Sequence, residues 1–303
     1  MGITRRIYVS LAADPWLPPN LNDLKWGIVE EIEKLGYTPE IFTNPKGMPG
    51  LASAKAWNPR DAEEIGRRCV GAAILGMPRW RFQDGNGEAV LLPTEFNHYE
   101  GALVRTLGLP TLVLVQGDML RRVVFDSSFG GYVGQYAADS DVSWLHTAEF
   151  RVPFNYWKAQ LEERRDIFLG YCSSSSATAA AIKRYLTSLG ARVLDWQSDF
   201  IPGRTIIDQI EQAAARSIGG IFLFTKDDDL ADPDGATHSV PRDNVVFEAG
   251  YFSGLKGKRN VLIVREVGSK MPADLGGDIY ASLVDKKDIA PIERTLASFL
   301  GAM

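Results

Sequence analysis

The apolar positions of this chain fall into short continuous runs, separated by stretches with helical spacing. In the C-terminal half, Asp166-Ile-Phe-Leu-Gly-Tyr171 reads as a buried strand. Across Ala177–Leu189, the residues Ile182, Tyr185, Leu186 and Leu189 recur every three or four positions, which predicts a helix stopped by Gly190. Arg192-Val-Leu194 begins a second strand, and Ile206, Ile207, Ile210, Ala213 and Ala214 mark a second helix. Gly220-Ile-Phe-Leu-Phe224 is a third strand, Val245–Leu255 is helix-like, and Asn260-Val-Leu-Ile-Val264 is a fourth strand. Between them, Lys226 to Arg242 is rich in Asp, Pro and Gly and is expected to be irregular. Strands alternating with helices predict a parallel sheet covered by helices on both faces.

The N-terminal half repeats this order. Arg6-Ile-Tyr-Val-Ser-Leu11 is a strand, and Leu21, Leu24, Ile28, Ile32 and Leu35 form a helical stripe ended by Gly36. Strands at Pro39–Phe42, Ala72–Leu75 and Pro110–Val115 follow, with helices ending near Cys69 and spanning Glu95–Leu107. Val70-Gly71 answers Ile218-Gly219, and Glu100-Gly101-Ala102 answers Glu248-Ala249-Gly250, both at an offset of 148. Shared order and offset point to one unit written twice. The expected organisation is an α/β domain over residues 1–145, a linker at 146–163 and a second α/β domain over 164–303.

Charge and composition narrow the function classes. The 303 residues carry a formal net charge of −5 and are 45% hydrophobic, as expected of a globular chain. Lys and Arg number 14 against 18 Asp and Glu in residues 1–150, and 19 against 20 in the remainder. Neither half is basic, so no nucleic acid and no membrane surface is expected as a partner. A pocket for a single nucleotide stays compatible with this balance. No apolar run approaches a membrane span, and Met1-Gly2-Ile3-Thr4-Arg5-Arg6 is not followed by a signal-peptide core, so a soluble, cytoplasmic protein is expected. The two cysteines, Cys69 and Cys172, read as core-edge thiols, and His98, His146 and His238 are scattered, so no metal site is expected.

In an open parallel sheet, ligands bind beyond the carboxyl ends of the strands. The loops after Tyr171, Leu194, Phe224 and Val264 share that edge. They bring Ser173–Ser176, Trp196, Arg204 and Asp227-Asp228-Asp229 together. Hydroxyls and helix N-terminal amides can hold phosphates, a tryptophan can stack on a base, and a carboxylate can grip ribose. Each has a plainer reading: the serines as a helix cap, the aspartates as a solvated loop, Trp196 as packing. Glu248 stands apart, because it is the lone charged residue between Val245 and Leu255 on a helix that is apolar nearly all round. A carboxylate there is costly unless paired or facing a cleft. Two readings stay open: a buried ion pair with Arg242 or Arg204, or a pocket carboxylate with a raised pKa. Its counterpart Glu100 has more polar neighbours and reads as a structural or hydroxyl-binding acid at a second site.

Three segments in order carry a family resemblance: Gly203-Arg-Thr-Ile-Ile207, the Phe222-Leu-Phe-Thr225 strand with Asp228-Asp229, and Arg242-Asp-Asn-Val-Val-Phe-Glu-Ala-Gly250. With Met271-Pro-Ala-Asp-Leu275 and Ile279-Tyr280, they make residues 164–303 resemble the bacterial TIR-like nucleotide-binding domain of antiphage effectors. Residues 1–145 resemble a diverged TIR or nucleoside-deoxyribosyltransferase fold, with Phe96-Asn-His-Tyr-Glu100 in place of the Asn-Val-Val-Phe-Glu string. The resemblance implies two flavodoxin-like or TIR-like three-layer domains with parallel central sheets. It implies an NAD+ nucleosidase, with NAD+ as substrate and no further cofactor. Glu248 would be catalytic, and Ser173, Ser174, Trp196, Arg204, Asp228 and Asn244 would bind substrate. A homo-oligomer and a cyclic-nucleotide or other nucleotide activator are implied as well, with the first domain as sensor. The alternatives are a nucleoside or nucleotide N-glycosidase or deoxyribosyltransferase, and a non-catalytic nucleotide-sensing scaffold.

Overall fold

The structure, a computed structural model, describes residues 3–12, 17–42, 50–129, 131–200, 203, 205–231, 237–272 and 280–303. The chain divides into two units, the first Arg5–Glu163 and the second built on Arg164–Met303.

In the first unit, β1 (Arg6–Ser10), α1 (Pro19–Lys34), β2 (Thr38–Glu40), α2 (Pro59–Gly66) and β3 (Gly71–Gly76) follow in order. A hairpin of β4 (Trp80–Gln83) and β5 (Ala89–Leu92) comes next, then α3 (Glu95–Thr106), β6 (Thr111–Gln116), β7 (Val133–Tyr136) and α4 (Ala148–Glu162). The second unit runs β8 (Arg165–Gly170), α5 (Ser176–Ser188), β9 (Val193–Asp195), α6 (Trp196–Asp199), α7 (Ile206–Arg216) and β10 (Ser217–Phe224). Its hairpin is β11 (Asp228–Ala231) and β12 (Thr237–Val240), followed by α8 (Asp243–Lys256), β13 (Val261–Glu266), β14 (Tyr280–Leu283) and α9 (Ala290–Ala302).

Both main sheets are parallel and five-stranded, ordered β2-β1-β3-β6-β7 and β9-β8-β10-β13-β14. Leaving the hairpins aside, each is the 2-1-3-4-5 order of doubly wound, flavodoxin-like folds. The central strands are buried along their length, as their unbroken apolar runs require. Helices α1 and α5 end as their stripes predict, with Gly36 and Gly190 at φ of +82° and +86°, where a Cβ would be strained.

The two units match residue by residue at their centres. Ile7 pairs with Gly71, and Ile167 pairs with Gly219. At both glycines the neighbouring strand's lead-in and the unit's last helix come too close for a side chain: Pro110 and Leu161 over Gly71, Asn260 and Met303 over Gly219. Helix α4 is thus placed in the first unit as α9 is in the second. Trp157 Nε1 donates to the Pro110 carbonyl at 3.0 Å, and Arg151 pairs with Glu31 at 2.5 Å. Residues 146–163, set between domains by the sequence, are therefore mostly this helix. The boundary falls after Glu163.

The polar segment 226–242, expected to be irregular, carries the β11–β12 hairpin. Its strands are largely exposed, so no apolar alternation marks them. The same reason hides β4 and β5. Helix α8 differs from expectation in another way. Val245, Glu248, Ala249 and Phe252 are buried, but Phe247 and Leu255 are 52% and 41% exposed. A helix on one face of a three-layer fold has a single inner stripe, so its remaining apolar residues face outward.

Gly219→Ala should destabilise by about 3 kcal/mol, because the new Cβ would meet the Asn260 backbone rather than a side chain that can turn away. Gly254→Ala, in open space on α8, should instead stabilise by about 0.5–1 kcal/mol. Urea denaturation midpoints of the two variants check both signs.

Candidate functional site

Beyond the carboxyl ends of β8 and β9 lies a cavity of about 620 Å3. Its walls come from four segments: Tyr171-Cys172-Ser173 after β8, Trp196-Gln197 and Phe200 after β9, Gly203, Ile206 and Gln209 near α7, and Arg242, Asn244, Val245 and Glu248 around the start of α8.

Glu248 forms part of the inner wall, and its position follows from the packing of α8. Phe252, one turn later on the same stripe, stacks on Phe168 at 5.1 Å and meets Phe222 edge-on at 5.2 Å. That contact holds the buried face of α8 on the sheet and turns Glu248 inward over the end of β8. The carboxylate fits because residue 170 is glycine. A Cβ there would lie 2.6 Å from Glu248 Oε2. Glu248 is 8% exposed, and Oε2 has no hydrogen-bond partner. Burial pushes its pKa up from the ordinary 4.5 to about 7.

Of the two ion-pair partners left open by the sequence, one can be placed. Arg242 pairs with Asp228 at 3.2 Å and bonds the Cys172 thiol, not Glu248. Arg204 lies outside the described residues. Among the described residues, then, Glu248 is a cavity carboxylate with no cation beside it.

The remaining expected residues divide. Trp196 is a cavity wall, tilted against Tyr171 at 5.6 Å, and its Nε1 donates to the Tyr171 carbonyl at 3.1 Å. Ser173 and Asn244 also line the cavity. Ser174 does not. Its hydroxyl donates to Asp227 Oδ1 at 2.7 Å, and Thr225 Oγ1 donates to the same carboxylate at 2.8 Å. Ser175, the residue before α5, makes no capping bond through its side chain and instead meets Thr225 Oγ1 at 2.8 Å. Asp228 is held by Arg242 on the hairpin, away from the cavity walls. Asp227, which sequence reasoning grouped with its neighbours, is the structural one of the three.

Sequence reasoning passed over Tyr171, Cys172 and Arg242 as cavity residues. Tyr171 donates to Asp195 Oδ1 at 2.7 Å, and Lys183 holds Oδ2 at 3.1 Å, so the aromatic wall is braced from below. Cys172 faces the cavity rather than only edging the core. Burial raises its pKa, but hydrogen bonds from Ser174 and Arg242 outweigh it and leave the thiol below its ordinary value. Cys69, by contrast, is fully enclosed and raised by burial, as a core thiol should be. The first unit has its own cavity over Glu100, of about 260 Å3.

Comparison with known proteins finds partial matches. The uncharacterized protein YuaY of Escherichia coli K12 is 30% identical over 120 residues, covering 39% of this chain and 40% of that protein. CD-NTase-associated protein 12 of Sphingobacterium faecium is 31% identical over 116 residues, covering 38% and 35%. The Pycsar effector protein BcPycTIR of Burkholderia cepacia is 31% identical over 110 residues, covering 34% and 36%. The chain thus spans well under half the length of these relatives. Among solved structures, a metazoan TIR-STING receptor from C. gigas in complex with 2′,3′-cGAMP aligns at a TM-score of 0.35 and 18% identity, over 45% of this chain and 39% of that one. No described helix is long and apolar enough to cross a membrane. The span 166–285, which holds Glu248 and every wall of the larger cavity, matches the family model described as CAP12/Pycsar effector protein, TIR domain.

Proposed function

We propose that the second unit is an NAD+ glycohydrolase that cleaves the bond between nicotinamide and ribose, and that the chain serves as a nucleotide-activated effector in antiphage defence. The observation that carries this reading is the Glu248 carboxylate, without a partner among the described residues, in the wall of a cavity large enough for a dinucleotide. The match of residues 166–285 to an effector TIR domain supports the biological setting.

The chemistry suits one acid. When the C1′–N bond of NAD+ breaks, its electron pair goes to nicotinamide, which leaves neutral and needs no proton. The ribose becomes oxocarbenium-like and positive. A desolvated carboxylate beside it stabilises that charge far better than one in water, and it can accept bonds from the ribose hydroxyls. Water then attacks C1′ and loses a proton to the carboxylate or to solvent, giving ADP-ribose. Trp196 and Tyr171 offer apolar faces for a ring, and Ser173 and the Arg242 guanidinium offer donors for phosphate. No cation among the described residues stands beside the carboxylate, and a fixed partner would already neutralise the charge that the transition state needs.

Glu248→Gln should lower NAD+ turnover at least about a hundredfold while keeping the cavity's shape, as read by nicotinamide release from protein under activating nucleotide. Unchanged turnover would end the assignment of Glu248. In wild type, kcat/KM should rise with pH through about 7, because the ionised carboxylate is the active form. A flat profile from pH 5 to 9 would contradict it.

The same carboxyl has a stability signature of definite sign. Its folded-state pKa lies above the 4.5 of the unfolded chain, so the folded state loses stability as pH rises from 4.5 to about 7. Glu248→Gln removes that loss. Its melting temperature should exceed wild type by an amount that grows across this window and then levels, up to about 3 kcal/mol in stability. Parallel thermal melts at pH 4.5, 6 and 8 check the trend.

A further inference from the structure

The first unit places a glutamate where the second places its own, yet surrounds it differently. Glu100 is on α3 and is 6% exposed. Ser10 in β1 faces it from the strand position that Gly170 holds in β8, since Ser10 pairs with Ile74 and Gly170 pairs with Phe222, and these two partners are again 148 apart. The Tyr8 hydroxyl donates to Glu100 Oε1 at 2.8 Å. The cavity over it is walled by Phe42, Trp57, Arg79, Thr94 and Phe96. Trp57 meets Phe96 edge-on at 4.8 Å, and Phe96 is 51% exposed at the cavity mouth. The Trp57 indole N–H is buried close enough to the Glu100 carboxylate to lower its pKa, but it falls short of hydrogen-bond geometry with any acceptor among the described residues.

We propose that this cavity binds a mononucleotide and does not cleave it. The pairing of a fixed acceptor with an unused donor matches a ribose hydroxyl, which donates to Glu100 while accepting from Trp57. The Trp57 and Phe96 rings form an apolar wall for a base, and Arg79 brings a guanidinium to the same space for a phosphate. At less than half the volume of the larger cavity, the space admits one nucleotide rather than two. Binding without cleavage follows from the acid's partners. The Tyr8 hydroxyl already draws on the charge of Glu100, where Glu248 has no such donor, so the first-unit acid anchors a sugar but gives less to an oxocarbenium ion. This inference is independent of the activity proposed for Glu248.

Isothermal titration of the full chain tests it, with 5′-mononucleotides, 3′,5′-cyclic mononucleotides and free nucleosides titrated separately, and the ligand recovered by chromatography. The proposal expects one-to-one binding of at least one phosphate form, retained in Glu248→Gln, with the ligand recovered intact. Whichever phosphate form binds identifies the source. Nucleosides should bind more weakly. Trp57→Phe keeps an aromatic face while removing the donor and the pyrrole part of the indole, and it should weaken binding about tenfold. Arg79→Ala should weaken the nucleotides but not the nucleosides, which a merely structural role would not produce, and it serves if Trp57→Phe fails to fold. Absence of binding at millimolar ligand, loss in Glu248→Gln with retention in Trp57→Phe, or release of free base would each overturn it.

Discussion

Helix α8 has one buried stripe, and Glu248 is on it. Val245, Glu248, Ala249 and Phe252 stand at the spacing of a single helix face, so the acid must point where the core-forming residues point. Phe252 closes an aromatic cluster with Phe168 and Phe222, the latter two 5.9 Å apart in neighbouring strands. Turning the helix to release the carboxylate would pull that cluster open. The glycine at 170 is the second half of the constraint, because it is the space that lets the helix settle with a carboxylate beneath it. Core packing therefore holds out of water an acid that has no partner among the described residues, and this burial raises its pKa.

The first unit shows what the same scaffold does when the load is removed. Its helix α3 also sets a glutamate over the end of the first strand, but Ser10 and Tyr8 meet it, and Asn97 fixes Ser10 by donating to its hydroxyl at 2.7 Å. Burial still raises the pKa of Glu100, while these hydroxyls and Trp57 work against it. Both acids sit in matching places on one topology, and two strand positions, Tyr8 against Phe168 and Ser10 against Gly170, separate an acid met by hydroxyls from one with no partner among the described residues. Position in the fold thus sets where a ligand goes, and the neighbours of the acid set what happens to it.

Much of this was legible in the residue pattern, and the failures have a common cause. Continuous apolar runs gave the buried central strands, and a lone charge in an apolar helix gave Glu248. Both signals come from burial, which sequence records directly. The hairpins β4–β5 and β11–β12 have no buried residue, being exposed or half-buried throughout, and left no alternation to read. The edge strand β7 was not read, and helix α4 was read only as part of a linker, because their burial depends on partners far along the chain, such as Pro110 for Trp157. The polar residues around the cavity were the least legible. Ser174, Asp227 and Asp228 all sit in loops where any of them could face a ligand. Only the structure shows Asp227 gathering Ser174 and Thr225, and Arg242 claiming Asp228.

That network bears on Glu248 from the side opposite the core. Asp227 accepts from Ser174 in the turn after β8, from Thr225 at the end of β10, and from the Arg242 backbone N–H at 3.3 Å, just before α8. Arg242 in turn spans Asp228 on the hairpin and Cys172 on the cavity wall. The start of α8 is thus tied to the ends of β8 and β10, while its middle is pinned by Phe252. Two anchors on either side of Glu248 leave the carboxylate little freedom to swing toward solvent. A group held in this way meets a developing positive charge without first having to reorganise, which is the condition under which a single carboxylate contributes most to a transition state.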